Sequence, residues 1–277
     1  MNVTLLRESN PEIIKHYAYE EIKYIEELTG KPVDIRIVPN IKSGADALTK
    51  VARPHMTHTI IYIKETSVKY INHLILHECG HIRRLFSVKP EERLNMTSTR
   101  LDMNSDIAKK VLSDILRLGI PENESQKVFE MYLNGAMMQV ANIIPDIRIE
   151  NEIYNRVEEN RDEQKAYLNY LGKTLEIVTS EKILNYTPSS ILEISLALNY
   201  LLLDNIKHII GTRILNIYKK NALAKKGYKK IKPIFEKDDF GYIQDIDLTN
   251  KILNIFNVNY IEWCSFNIVG IGYELDY

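Results

Sequence analysis

The stretch from Leu74 to Arg84, "LILHECGHIRR", constrains the fold of this 277-residue chain more than any other. It lies in a segment whose apolar residues recur at helical spacing, and Leu74 and Leu76 extend the apolar surface around the predicted helix. A helix that is apolar on several sides is buried in its domain. Any fold of this chain must therefore surround a central helix that also carries two histidines.

The two histidines and the first glutamate of this stretch share one side of the predicted helix. Each residue of an α-helix advances about 100°, so His81 follows His77 by about 40° and Glu78 follows it by about 100°. Two imidazoles one turn apart can bind one zinc ion at about 2.0–2.1 Å, and the glutamate can take a proton from a bound water. The pattern H-E-x-x-H therefore favours a hydrolytic zinc site, with Glu78 as general base, over a structural pair of histidines.

A catalytic zinc usually has three protein ligands, so a third ligand must come from elsewhere in the chain. The segment "VANIIPDIRIENEIY" at 140–154 places Asn142, Asp146 and Glu150 at successive intervals of four, along one face of a predicted helix. One carboxylate would bind the metal, and the other would accept a hydrogen bond from the outer nitrogen of a ligand histidine. Asp146 and Glu150 remain alternatives for the third ligand, and an exposed acidic face is the competing interpretation. Pro145 is expected to kink or restart the helix near Ile144, and a break there would present Asp146 at a helix start.

Helical and strand patterns alternate before the motif. Residues 11–30 show near-helical apolar spacing, whereas 33–39 and 58–64 have the composition of strands, with a predicted loop between them. Thr66 or Ser67 is the predicted N-cap of the helix that carries the motif. This part of the chain therefore mixes helices with strands.

Almost all of the signals beyond residue 105 are helical. The sequence predicts a short helix and a strand after residue 231, and longer helices over 105–121, 122–158, 160–178 and 189–218. The predicted fold class is therefore α+β and predominantly helical, with a large helical carboxy-terminal part. One division of the chain is a domain of residues 1–160 followed by a helical region of 161–277, and a single continuous domain is the alternative.

Charge and cysteine content narrow the possible function classes. The formal net charge of −1 supplies no global field toward nucleic acid, and the seven lysines within 218–232 are interpreted as a solvated face. Cys79 and Cys264 are expected to be free thiols. No apolar run predicts a membrane span or a signal segment. These features predict a soluble, cytoplasmic protein, and they disfavour nucleic acid and membrane as partners.

The "HECGH" helix after a strand, together with the downstream "NIIPDIRIEN", resembles the zincin metallopeptidases, and within them the gluzincin and minigluzincin group. The second segment is also similar to a stretch of predicted metallopeptidases that accompany MoxR-type ATPases and von Willebrand A domains. The resemblance covers about residues 10–155. It implies a zincin-like small mixed sheet packed on the motif helix, with the strand at 58–64 as the edge strand beside a substrate cleft. This chain reverses the order of the two carboxylates found in thermolysin-like gluzincins.

The motif and the resemblance together predict a zinc-dependent metallopeptidase, a hydrolase that cleaves a peptide or protein substrate with Zn²⁺ as cofactor. The resemblance also implies that a carboxy-terminal segment can hold such an enzyme latent. The alternative is a catalytically silent, zincin-like scaffold or regulatory module that binds a protein partner through residues 161–277. His73, one turn before His77, is interpreted as a partly exposed polar residue, and a role in supporting the metal ligands or binding substrate is the alternative. Cys79 is interpreted as a core residue.

Overall fold

Helices dominate the part of the chain that the computed structural model describes, which comprises residues 4–5, 13–41, 43–98, 106–235, 238–258 and 261–267. Within these ranges the strands are short and belong to two sheets. The expected α+β, predominantly helical class is therefore confirmed. None of the described helices combines the length and the apolar character that crossing a bilayer requires.

A four-stranded mixed sheet is built from β1 (Thr4–Leu5), β2 (Val33–Val38), β3 (Ala47–Lys50) and β4 (Thr59–Lys64). Its strand order is β1-β2-β4-β3, with β2 parallel to β4 and with β1 and β3 antiparallel to their neighbours. β2 and β4 confirm the two expected strands. The expected edge position of the strand at 58–64 is wrong, because β3 forms in the expected loop and pairs outside β4. A second sheet pairs β5 (Leu94–Ser98) with β6 (Ile261–Ser265).

The described ranges contain ten α-helices, and most of them lie beyond residue 105. Their bounds are α1 His16–Thr29, α2 Ile71–Phe86, α3 Asp106–Arg117, α4 Glu122–Arg156, α5 Arg161–Val178, α6 Glu181–Tyr186, α7 Ser189–Ile210, α8 Arg213–Lys220, α9 Ala222–Ile231 and α10 Tyr242–Ile255. The helices expected around the motif and over 105–121, 160–178 and 189–218 are confirmed, the last of them as two helices that Gly211 separates.

Helix α4 continues through Pro145, so the expected break before Asp146 is wrong. A proline inside a helix removes one backbone hydrogen bond and costs about 3 kcal/mol. Ile144, Ile147 and Ile149 around it are buried. Each buried isoleucine contributes about 1.5–3 kcal/mol, which offsets the loss. Asp146 therefore lies inside a helix rather than at the start of one.

The chain divides into two compact units that alternate along the sequence. The first contains Met1–Asn95, Ile149–Tyr167 and Cys264–Tyr277, and the second contains Met96–Arg148 and Leu168–Trp263. Compact units are not the same as domains that fold independently. The division into residues 1–160 and 161–277 therefore stays a prediction.

In the first unit, helix α2 covers one face of the four-stranded sheet. Alternation along the strands places Ile35, Ile61 and Ile63 on this face, in one buried cluster with Leu74 and Ile75 of α2. A smaller cluster around Val38 and Tyr62 forms from the opposite side chains of the same strands. Cys79 is buried in the larger cluster, as expected, and both cysteines are free thiols. The motif helix is therefore fixed by apolar packing against the sheet.

In the second unit, α7 is largely buried, and two glycines allow neighbouring segments to approach closely. A Cβ atom at Gly227 of α9 would lie 2.7 Å from the Cβ of Ala197 on α7. A Cβ atom at Gly172 of α5 would lie 2.3 Å from the Cδ1 of Ile214. Small residues at these positions explain how the helices pack.

Candidate metal centre

Helix α2 begins against a carboxylate from a distant part of the chain. Glu163, in the first turn of α5, accepts hydrogen bonds from the backbone N–H groups of Asn72 (2.8 Å) and His73 (3.0 Å). A negative charge at this end also interacts favourably with the helix dipole. The expected N-cap, Thr66 or Ser67, is wrong, because residues 65–70 form a 3-10 turn before α2. Glu163 instead satisfies donors that the helix leaves unpaired.

The rings of His77 and His81 meet through their outer nitrogens. The two Nε2 atoms lie 3.1 Å apart. Two nitrogens bound to one tetrahedral zinc ion stand about 3.3 Å apart, because each Zn–N bond is about 2.0–2.1 Å. A hydrogen bond between the rings has a similar length. The helix therefore places two imidazole nitrogens at a separation that suits a shared ion.

Glu150 holds the inner nitrogen of His77. Its Oε1 atom lies 2.8 Å from His77 Nδ1, and its carboxylate is almost completely buried. An imidazole that donates from Nδ1 keeps its Nε2 lone pair available for a metal. Burial opposes ionisation of this carboxyl, but His73 and His77 outweigh that effect and hold the pKa of Glu150 well below its usual range. Glu150 is therefore present as a carboxylate acceptor.

Gln164 and His73 are buried beside Glu150, and Asn160 is buried beside His73. Gln164 donates to Glu150 Oε2 at 2.7 Å and to the Glu150 backbone carbonyl at 2.8 Å. His73 Nε2 lies 3.3 Å from Glu150 Oε1, an ion-pair separation whose geometry is not that of a hydrogen bond. Asn160 contacts the other ring nitrogen of His73 at 3.2 Å. His73 is fully buried, so its expected partial exposure is wrong.

The glycine of the motif permits this approach of α4 to α2. A Cβ atom at Gly80 would lie 2.7 Å from Ile149 Cγ2 and 3.0 Å from Ile149 Cγ1. Such distances are below normal van der Waals contact, and Ile149 is fully buried. Ile149 directly precedes Glu150. The absence of a side chain at Gly80 therefore lets Glu150 come within reach of His77.

Asp146 lies one turn before Glu150 on the continuous helix α4. Of the three expected ligands, His77 and His81 belong to the first compact unit and Asp146 to the second. Two imidazoles and one carboxylate are ligands that zinc commonly takes.

Glu78 points to a different neighbour from the two histidines. Thr49 on β3 donates a hydrogen bond to Glu78 Oε2 at 2.7 Å, and the Glu78 side chain is largely buried. Next to it, burial raises the pKa of the Cys79 thiol well above its usual value, so Cys79 is unsuited to bind a metal as a thiolate. Thr49 therefore holds the Glu78 carboxylate, whereas Cys79 is a residue of the apolar core.

The sequence did not predict Thr49, Asn160 or Gln164 as members of this site. Thr49 and Glu78 are 29 positions apart, and Gln164 follows Glu150 by 14 positions across a helix end. A weak signal was present for Gln164, which is a polar residue on the buried side of an amphipathic helix.

The seven lysines within 218–232 are exposed, and Lys226 and Lys230 of this group pair with Glu193.

Comparisons of the chain with family models, with curated proteins and with solved structures find no match. Function must therefore be inferred from the geometry of the described residues.

Proposed function

We propose that this protein is a zinc-dependent metallopeptidase. The observation that carries the proposal is the orientation of the His77 ring, whose Nδ1 faces Glu150 at 2.8 Å while its Nε2 faces His81 Nε2 at 3.1 Å. A histidine held by a carboxylate on one nitrogen and turned toward a second histidine with the other is typical of a metal ligand. The resemblance of the motif to zincins supports the choice of zinc and of a peptide or protein substrate.

His77, His81 and Asp146 would hold the ion, and Glu150 would orient His77. Glu150 is the weaker choice for third ligand, because His77 and Gln164 already occupy its two oxygens. Asp146 is only partly buried, and it lies one turn before Glu150 on the same face of α4. This assignment gives each carboxylate one role.

Zinc, when bound, polarises a carbonyl group and lowers the pKa of a water molecule toward about 7. Glu78 then acts as general base and takes a proton from the attacking water as its oxygen bonds to the peptide carbonyl carbon. Glu78 returns that proton to the amide nitrogen as the C–N bond breaks. The products are a carboxylate and an amine, and Glu78 ends in its starting state.

The test combines metal analysis with the substitution Glu78→Gln. Purified protein should contain about one zinc ion per chain, and removal of the metal by a chelator should stop peptide cleavage. Glu78→Gln should keep the metal and lower the turnover rate by about 10²–10⁴-fold, because the general base is lost. Glu65→Gln, an exposed glutamate before the same helix, is the matched control.

Two outcomes would contradict the proposal. The mechanism is wrong if Glu78→Gln cleaves a peptide library as well as the parent protein does. A protein that binds zinc but cleaves no member of the library would instead favour the scaffold alternative, in which residues 161–277 bind a protein partner.

A further inference from the structure

We propose that Thr49 is a positioning residue for Glu78. This inference rests on the proposed function, because it assigns Thr49 a role in placing the general base. The Thr49 hydroxyl donates to Glu78 Oε2 at 2.7 Å, a short hydrogen bond of the kind that carboxylates accept. Among the described residues, Thr49 is the one observed hydrogen-bond partner of the Glu78 side chain. The other oxygen, Oε1, is thereby the one left to accept a proton from water.

The surroundings of Thr49 show why a hydroxyl is informative at this position. Thr49 pairs with Ile61 across the antiparallel strands, so it shares the face of the sheet that α2 covers. Ala47 and Val51, two positions before and after it, pack against the apolar cluster on that face. Thr49 is the polar residue in this series. A valine would have almost the same shape and would suit the apolar surroundings better, so packing alone does not favour threonine.

A hydrogen bond to Glu78 restricts rotation of its carboxyl group, which otherwise turns freely about its last torsion. A displacement of about 1 Å at a reacting group can reduce a rate by about 10²-fold. Loss of the Thr49 hydroxyl should therefore reduce turnover without changing metal binding.

The test compares Thr49→Val, which keeps the shape, with Thr49→Ser, which keeps the hydroxyl. Thr49→Val should lower kcat by about 10- to 100-fold and leave KM and zinc content unchanged. Thr49→Ser should restore most of kcat. Thr66→Val, an exposed threonine, is the control, and Thr49→Ala is the second variant if Thr49→Val fails to fold. A purely structural role for Thr49 would lower stability and would not produce this separation of kcat from KM.

Crystal structures of the parent and of Thr49→Val provide a readout that needs neither zinc nor turnover. The Glu78 carboxyl group should turn away from its parental position in the variant. An unchanged Glu78 carboxyl, or a Thr49→Val protein with the parental kcat, would overturn the inference. If the parent cleaves no peptide, the proposed function fails, while the two crystal structures still test whether Thr49 positions Glu78.

Discussion

Helices α2 and α7 are both buried, but they bury different kinds of side chain. α2 buries Asn72, His73, Glu78 and Arg84 among its apolar residues. Along its greater length α7 buries mainly leucine, isoleucine and alanine, with Glu193 and Asn199 as the buried residues that carry a charge or an amide. An unsatisfied buried polar group costs about 1–3 kcal/mol. The buried polar side chains of α2 are more numerous for its length than those of α7, so we ask which groups satisfy them.

The buried polar side chains of the two helices also contact different kinds of partner. On α7, Glu193 reaches two exposed lysines, and Asn199 contacts Gln139 and Tyr218. On α2, His73 and His77 both contact Glu150, which Gln164 also contacts. Asn72 contacts Glu163, and Glu78 contacts Thr49. Buried polar networks stabilise a fold only if every member is satisfied. The interior of α7 is therefore mainly apolar, whereas the polar side chains of α2 contact polar groups from other elements.

The largest effect on stability is expected from a change in α7. Leu198→Ala should lower the free energy of unfolding by about 2–5 kcal/mol, because Leu198 is fully buried and its loss leaves a cavity. Urea denaturation measures this value. The folded fraction should keep its zinc affinity, since none of the proposed ligands lies on α7. A parallel loss of zinc affinity in the folded protein would show that the two helices are not separable in this way.

The next effect is expected from Glu150→Gln beside α2. The zinc affinity should fall by about 10- to 100-fold, because Glu150 orients His77 without being a ligand in the proposed centre. Competition with a chelator of known affinity measures the change, and the exposed Glu158→Gln is the control. Asp146→Asn should weaken binding more than Glu150→Gln does. The reverse order would assign Glu150 as the third ligand.

Gly80→Ala tests the close approach of α4 to α2. The added Cβ would overlap with the buried Ile149, so we expect a loss of about 1–3 kcal/mol in the free energy of unfolding, together with weaker zinc binding. Gly135→Ala is the matched control on α4. A Cβ there meets no atom of the described residues within 4 Å, so helix propensity should make this variant more stable by up to about 1 kcal/mol. Equal effects of the two substitutions would contradict the packing argument.

The smallest effect is expected from Glu193→Gln on α7. Burial opposes ionisation of Glu193, but the ammonium groups of Lys230 and Lys226 outweigh it and lower the pKa of this carboxyl. A lowered pKa in the folded state gives stability that is present above the unfolded pKa of about 4.3. That stability is lost as the pH falls through the folded value. At neutral pH the free energy of unfolding of the parent should therefore exceed that of Glu193→Gln by less than about 1 kcal/mol.

Urea denaturation from neutral pH down into acid measures this difference for Glu193→Gln. The gap between the two proteins should close as the carboxyl of the parent becomes protonated. A gap that widens in acid would contradict the ion pairs.

Local sequence patterns predicted the elements whose side chains repeat with a clear period. Helix α1, the parallel strands and the motif helix follow from such periods, and all of them are present. β3 is four residues long and was expected to be a loop, because Ala47 and Lys50 have little preference for strands. The break expected at Pro145 did not occur, because buried isoleucines on both sides hold the helix together.

In the candidate site, too, residues that are close in sequence could be predicted, whereas their partners from distant parts of the chain could not. His77, Glu78 and His81 are neighbours on one helix, so their spacing alone places them together. Their partners come from other elements, and Glu163 is 91 positions from the Asn72 backbone that it caps. No period in a single sequence specifies such contacts, since they depend on how distant helices pack. The roles of Asp146 and Glu150 could likewise not be separated by spacing.

The cap that Glu163 provides also has a consequence for synthesis of the chain. A ribosome releases the HECGH segment long before it releases α5, so the nascent motif helix first lacks the acceptor for its leading N–H groups. Glu150 and Gln164 also emerge late, and His77 has no carboxylate to orient it until they do. If the protein is the proposed metallopeptidase, metal loading should wait until residue 164 has left the ribosome, which would keep an unfinished chain from hydrolysing other nascent proteins.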